Sequence, residues 1–225
     1  MSATDPIAPW NDPERVQCFA SRDPDHRLVE LVEAIPYPQG VTVLDLGCAG
    51  GRNAEYLVLH QLDLWALDAA EAMVARTRER VAAVLGPDEA ERRVIQGVMD
   101  DLARWEDETF HLVVALGVYH QAQSEAEWYV ALAETERVLV PGGRCLVSNF
   151  APGTGPIDSP PEKISGTRFL HQGFKFGKGC LLTLEQLDAE FQRHGFDPVI
   201  PTRLVEKEAD GRQRNTVNGL YRKRA

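Results

Sequence analysis

At 225 residues, with 44% apolar and 26% charged side chains, the chain has the composition of one ordinary globular domain. It is long enough to bury a core without disulfides or metals. Its 24 Lys and Arg against 34 Asp and Glu give a formal net charge of -10, which disfavours DNA and RNA as partners. No run approaches the roughly 18 apolar residues of a membrane span, and MSATDPIAPWNDPER lacks the basic-then-apolar pattern of a signal peptide, so a cytoplasmic location with no membrane partner is expected.

In chain order, SRDPDHRLVELVEAI reads as a helix burying Leu28, Leu31, Val32 and Ile35. VTVLDL at 41 to 46 is a strand, GCAGG a tight turn and RNAEYLVL a helix. LDLWAL at 62 to 67 is the next strand. A helix from Ala70 follows, with Val74, Val81 and Leu85 on one face, and Gly86-Pro87 stops it. Strands are expected around Arg93 to Ile95 and over HLVVALGV at 111 to 118. Ser124 and Glu127 form a capping box for a helix that carries Trp128, Leu132, Thr135 and Leu139 and stops at Pro141-Gly142-Gly143. RCLVSNF is a strand, and residues 152 to 166 read as a loop. Thr183 and Gln186 cap a helix carrying Leu184, Leu187 and Phe191 that stops at Gly195, and a hairpin turning at Asp210-Gly211 closes the chain. Alternating strands and helices imply a doubly wound α/β domain with a mostly parallel sheet and helices on both faces.

The glycine turn carries the most chemistry. Small residues let a ligand approach the backbone, and Asp68 ends the second strand 21 residues after Gly47, where a carboxylate can accept both hydroxyls of a ribose. The dinucleotide fingerprint would need glycines at 47, 49 and 52, but Ala49 and Arg52 stand there. Asp45, two residues before the first glycine, suits a ligand with an ammonium group and no pyrophosphate. Cys18, Cys48, Cys145 and Cys180 are widely spaced, which signals neither a zinc site nor a disulfide framework, and no Asp/His cluster suggests a metal.

VLDLGCAGGRN resembles the first motif of the class I S-adenosylmethionine-dependent methyltransferases. ALDAAEAMV, QGVMDDLARWEDETFHLVV and VLVPGGR are similar to later motifs of that family, in the same order. The terminal NGLYRKRA and GRNAEYL look most like its tellurite-resistance and other small-molecule members. The resemblance implies a seven-stranded Rossmann-like sheet with an antiparallel last strand, in one domain. Residues 1 to 40 would form a helical lid and 152 to 183 an acceptor-side insertion. It implies S-adenosylmethionine, or S-adenosylhomocysteine as product, bound by Asp45, Gly47, Cys48, Ala49, Gly51, Asn53, Asp68, Ala69, Met73, Met99, Asp100 and Leu116. Two departures stand out. Ala49 replaces the usual middle glycine, tolerable where no positive φ is needed, and Val98 replaces an acidic residue, leaving the adenine contact to Asp100 or the backbone near Met99.

His120 follows the fourth strand and matches the second histidine of the V-L-H-H segment in several small-molecule methyltransferases. It is the candidate base; the alternative is that it packs beside the cofactor or hydrogen-bonds in the loop. Tyr119 is placed in the cofactor or acceptor wall. Lys163 to Leu184 contains no Asp or Glu and holds Arg168, Phe169, His171, Phe174, Lys175, Phe176 and Lys178. It reads either as an acceptor-pocket lining, with Phe174, Lys175 and Phe176 on the acceptor, or as a solvated loop. Trp10, Phe19 and Arg22 are further candidates for contact with cofactor or acceptor. The expected activity is methylation of a small-molecule acceptor by a monomer or homodimer. A non-catalytic cofactor-binding module is the alternative. A DNA amino-methyltransferase is disfavoured because GVYH stands where N-P-P-Y or D-P-P-Y would be required.

Overall fold

The computed structural model describes residues 5–225. Two short helices, α1 (Pro13–Ala20) and α2 (His26–Glu33), precede β1 (Thr42–Leu46), α3 (Arg52–Leu59), β2 (Asp63–Asp68), α4 (Glu71–Leu85), α5 (Pro87–Arg93) and β3 (Val94–Gln96). Next come β4 (Phe110–Leu116), α6 (Glu125–Val138), β5 (Leu139–Phe150), β6 (Gly155–Pro156), β7 (Glu162–Lys163), β8 (Leu170–Phe174) and β9 (Gly177–Cys180). α7 (Leu184–Arg193), β10 (Phe196–Pro198), β11 (Arg203–Ala209) and β12 (Arg212–Lys223) complete the chain.

The central path through the main sheet runs β10-β12-β5-β4-β1-β2-β3. β3, β2, β1, β4 and β5 are mutually parallel, and β12 runs against β5 and β10. β11 and β6 pair with β12 outside this path, while β7, β8 and β9 form a separate small sheet. The expected Rossmann-like path of seven strands is therefore present, with β11 of the closing hairpin and β6 added along β12 to make nine.

Period-2 alternation explains the layering. Leu44 and Leu46 of β1, Val113 and Ala115 of β4, and Cys145 and Val147 of β5 face a core shared with Trp128 and Leu132 of α6 and Leu187 and Phe191 of α7. Val43, Leu112, Val114 and Leu146 face the opposite core, built from Leu28, Leu31 and Val32 of α2, Leu57 and Val58 of α3, and Val74 and Val81 of α4. Asp45 has the parity of Val43, so the sequence carries a carboxylate into an otherwise apolar layer, where it is 2% exposed.

Several boundaries differ from expectation for local reasons. Gly86-Pro87 ends α4 but also opens α5, since Gly86 has φ +89° and Pro87 occupies the first helical turn with Asp88 and Glu89 behind it. α6 stops at Val138 and β5 begins at once, so Pro141-Gly142-Gly143 lies inside β5 at a register shift opposite Phe110 and Leu112. The Ser124 cap is one-sided: its side chain accepts the Glu127 N–H at 3.1 Å, but the Glu127 carboxylate reaches the Gln123 N–H instead, at 2.7 Å. At Thr183 the full reciprocal box with Gln186 forms. The segment expected as a loop, 152 to 166, contains the short strands β6 and β7, and the rest of the expected insertion, to 183, contains β8 and β9.

Candidate cofactor and acceptor site

Because β1 leads by crossovers to β2 and β3 on one side and has β4 on the other, the strand order reverses at the carboxyl ends of β1 and β4. Ligands of such sheets bind there. The turn after β1 is anchored by the Gly47 and Cys48 N–H groups, which donate to the Leu67 carbonyl at 2.8 and 3.0 Å. Gly47 and Gly51 have φ +76° and +78°, and so does the residue between them in kind: Ala49 has φ +48°. The absent middle glycine is therefore a departure that the backbone does not relax, because the turn requires the left-handed region at an L-residue. Ala49→Gly is expected to raise stability by about 1 kcal/mol, read as a higher denaturation midpoint at unchanged m-value.

Two side chains hold the strained turn. Thr77 of α4 donates from Oγ1 to the Ala49 carbonyl at 2.7 Å, and its hydroxyl accepts the Cys48 thiol at 3.6 Å. Cys48 is thereby a buried structural thiol, pushed well above its usual pKa by burial and by the charges of Asp68 and Asp45. Thr77 was not among the residues singled out from sequence. The N-terminal helices lie over the turn: a methyl group at Gly50 would sit 2.7 Å from the Ala20 backbone nitrogen, and Arg80 donates to the Ala20 carbonyl.

Asp68 is fixed by the turn it faces. Oδ2 accepts the Ala49 N–H and Oδ1 the Ala70 N–H, both at 2.9 Å, so each oxygen keeps lone-pair capacity for a second donor. Burial raises its pKa above 3.8, and the backbone N–H groups of Ala70, Ala49 and Ala69 oppose that rise. Asp45 is different: Oδ2 is buried with no hydrogen-bond partner among the described residues. Burial pushes its pKa up to about 7, Arg52 lowering and Asp68 raising it. A buried carboxylate oxygen without a donor, beside a second carboxylate aimed at the same crevice, is a site shaped for a ligand that brings both an ammonium and hydroxyl groups.

The remaining expected cofactor residues divide. Ala69, half-buried, follows Asp68, and its carbonyl accepts the Gln96 side chain at 3.1 Å; Leu116 ends β4, also half-buried. Asn53 is buried, with Oδ1 already accepting the Asp25 N–H at 3.0 Å, and Met73 is fully enclosed in α4. Met99 packs into the core with Leu102 and Trp105. Beside it a cavity of about 480 Å³ is lined by Leu67, Gly97, Val98, Asp101, Arg104 and Trp105 among others, so Asp101 and not Asp100 reaches this space.

His120 lies in a 3-10 turn, Tyr119–Gln121, and is 3% exposed. Its ring stacks on Phe150 at 3.7 Å between centroids, with Phe176 at 6.3 Å. The Gln121 amide nitrogen lies 2.9 Å from Nε2, and Nδ1 has no partner among the described residues. Burial, then the Arg214 charge, lowers its pKa to about 3. β9 closes over this turn: the Gln123 side chain pairs with the Lys178 backbone through both its nitrogen, at 3.1 Å, and its oxygen, at 3.0 Å. Phe174 and Phe176 stack at 4.7 Å, whereas Lys175 is exposed at the β8-β9 turn.

Tyr119 does not join this group. It is completely buried, bonded to Thr135 through its hydroxyl at 2.6 Å and set edge-on to Trp128 and Phe191. The 3-10 turn sends it back into the α6 and α7 core, which leaves it no face toward an acceptor.

Residues 43–143 match the family model of the methyltransferase domain. That segment, somewhat under half of the chain, is similar to a methyltransferase domain. The donor set at the turn is compatible with S-adenosylmethionine: an unpartnered buried carboxylate at Asp45 could take its ammonium and an oriented one at Asp68 its ribose. Among solved structures, the chain is similar to Burkholderia thailandensis 1,6-didemethyltoxoflavin-N1-methyltransferase, a structure with bound 1,6-didemethyltoxoflavin and S-adenosylhomocysteine. Identity is 21%, TM-score 0.63, over 100% of this chain and 92% of that one. It is also similar to a Methanosarcina mazei S-adenosylmethionine-dependent methyltransferase, at 16% identity, TM-score 0.63, over 86% and 97% of the two chains. The [4+2]-cyclase SpnF shares the fold as well, at 18% identity, TM-score 0.57, over 88% and 80%. At these identities the likeness is one of fold. No curated protein matches the sequence.

Proposed function

We infer that the methyltransferase transfers its methyl group to a small-molecule acceptor held near the His120 turn. The carrying observation is the pairing of Asp45, buried and without a donor, with Asp68, oriented by the turn, at one switch point of the sheet. The cofactor supplies an electrophilic methyl on a sulfonium, and in-line displacement requires chiefly that a nucleophile be held close and collinear. Asp45 binds the ammonium, Asp68 the ribose hydroxyls, and the Gly47 to Gly51 turn provides the close backbone approach. α1 over the turn and β9 over His120 narrow access to the edge, which favours a small acceptor; the net charge of -10 disfavours a nucleic acid. No helix among the described residues is long and apolar enough to cross a membrane; a cytoplasmic location and a monomeric or homodimeric state are part of the proposal.

His120 works as a neutral hydrogen-bonding wall in this reading. With the Gln121 amide donating to Nε2, the ring proton sits on Nδ1 and points to no protein acceptor, and a pKa of about 3 is far from the near-neutral value of an efficient base. His120→Gln is therefore expected to lower kcat, at saturating cofactor, by less than about tenfold with the pH profile unchanged in shape. A loss of 10² or more with a limb of the profile missing is the signature of a general base. Transfer of labelled methyl from S-adenosylmethionine to a component of a small-molecule extract tests the function. Tight cofactor binding without any labelled product would favour a binding module.

A further inference from the structure

Resting on the methyl-transfer reading, we propose that Arg22, Arg52 and Arg214 form an anion clasp beside the site and that the acceptor carries a carboxylate or phosphate group held there.

Three parts of the chain bring four guanidinium groups together. Arg52 opens α3 directly after the glycine turn, and its Nη1 donates to the Asp23 carbonyl at 2.6 Å, which draws it onto the loop that carries Arg22. Arg27, at the start of α2, spans from that loop to Asn218 of β12. Arg214 lies four residues earlier on β12, on the same face of the strand, with its guanidinium 5.6 Å from the Phe150 ring centroid. Phe150 is the ring on which His120 stacks, so an anion at Arg214 is one side chain removed from the proposed acceptor position.

The charges there are not balanced internally. Asp25 is forked by Arg27, through Nε at 2.8 Å and Nη2 at 2.7 Å. Arg22, Arg52 and Arg214 make no ion pair among the described residues. Burial and then the charges of Arg22, Arg52 and Arg27 lower the pKa of Arg214, and burial with Arg22 and Arg27, against Asp25 and Asp45, lowers that of Arg52. In a chain of net charge -10, carboxylates are plentiful, yet the charges offsetting Arg52 are those of Asp25 and Asp45, and Asp25 is already forked by Arg27. Guanidinium forks suit planar carboxylate and phosphate oxygens, and such an anion relieves the mutual repulsion on binding. The clasped group is not the nucleophile and is unchanged by methyl transfer; it sets which molecule is held and in which direction.

The test is calorimetric titration of benzoate and of phenyl phosphate into ligand-free and S-adenosylhomocysteine-loaded protein, wild type and Arg22→Gln/Arg214→Gln. The expected result is binding of at least one anion by wild type in both states, at least tenfold weaker in the double variant, with affinity for S-adenosylhomocysteine held within twofold. The stronger of the two anions identifies the acceptor's group. Absence of binding by either anion, or equal binding by the variant, overturns the clasp. So does a tenfold loss of S-adenosylhomocysteine affinity in the variant, since the arginines would then serve the cofactor's own carboxylate. Failure of wild type to bind S-adenosylhomocysteine would instead sink the methyl-transfer reading, and the ligand-free titration would still decide the clasp.

Discussion

Asp45→Asn is expected to stabilise the fold above neutral pH while weakening S-adenosylmethionine binding by roughly tenfold to a hundredfold. The binding loss is the worth of one charge-assisted hydrogen bond, about 1.5–3 kcal/mol. The stability gain follows from linkage. Burial raises the Asp45 pKa from 3.8 to about 7, so between those values the folded chain keeps a proton that the unfolded chain has lost. The stabilisation from this proton is fully present below pH 3.8 and is lost as pH rises through about 7. A shift of about 3 units corresponds to roughly 4 kcal/mol between the two extremes. Asparagine mimics the protonated acid, so the variant should exceed wild type in thermal midpoint most at pH 8 and least near pH 4. The same pKa predicts that cofactor affinity of the wild type falls as pH drops below 7, since the ammonium needs the ionised carboxylate. Equal melting temperatures at pH 8, with cofactor affinity unchanged, would show that Asp45 is neither strained nor used.

Asp68→Ala carries the other large effect. Its carboxylate holds the turn through the Ala49 N–H, so its removal leaves a donor of a strained residue unpaired as well as deleting the two proposed ribose contacts. Loss of S-adenosylmethionine affinity by 10² or more is expected. Asp68→Asn separates the two roles: it retains one acceptor oxygen and should lose less affinity than the alanine. Indistinguishable affinity of Asp68→Ala and wild type would remove the ribose assignment.

Much of this arrangement was legible because it is local. The strand-turn-helix at 41 to 59, the period-2 alternation of β1, β4 and β5, and the Thr183 cap each depend on residues a few positions apart. The α5 and α1 helices were readable in principle, since Pro87 and Pro13 both stand in a first helical turn, but a proline read only as a stop conceals the helix it starts. The β7-β8-β9 sheet escaped because its strands are short and glycine-rich, with no alternation to mark a face. Tyr119 reads as a pocket residue because it replaces the first histidine of the V-L-H-H pattern; in a 3-10 turn, adjacent side chains diverge, and only the packing of α6 and α7 reveals which one is core. The positive φ of Ala49 and the meeting of Arg22, Arg52 and Arg214 belong to the assembled fold, the latter across residues 192 positions apart at the extremes.

The most direct test of the central claim is calorimetric titration of the purified wild-type chain with S-adenosylmethionine, S-adenosylhomocysteine and NADH. The structure predicts one site for either sulfur ligand and none for NADH, because the turn offers two separate carboxylates for an ammonium and a ribose and lacks the dinucleotide glycine spacing. Folded protein that binds neither sulfur ligand, or that binds NADH in their place, would contradict it.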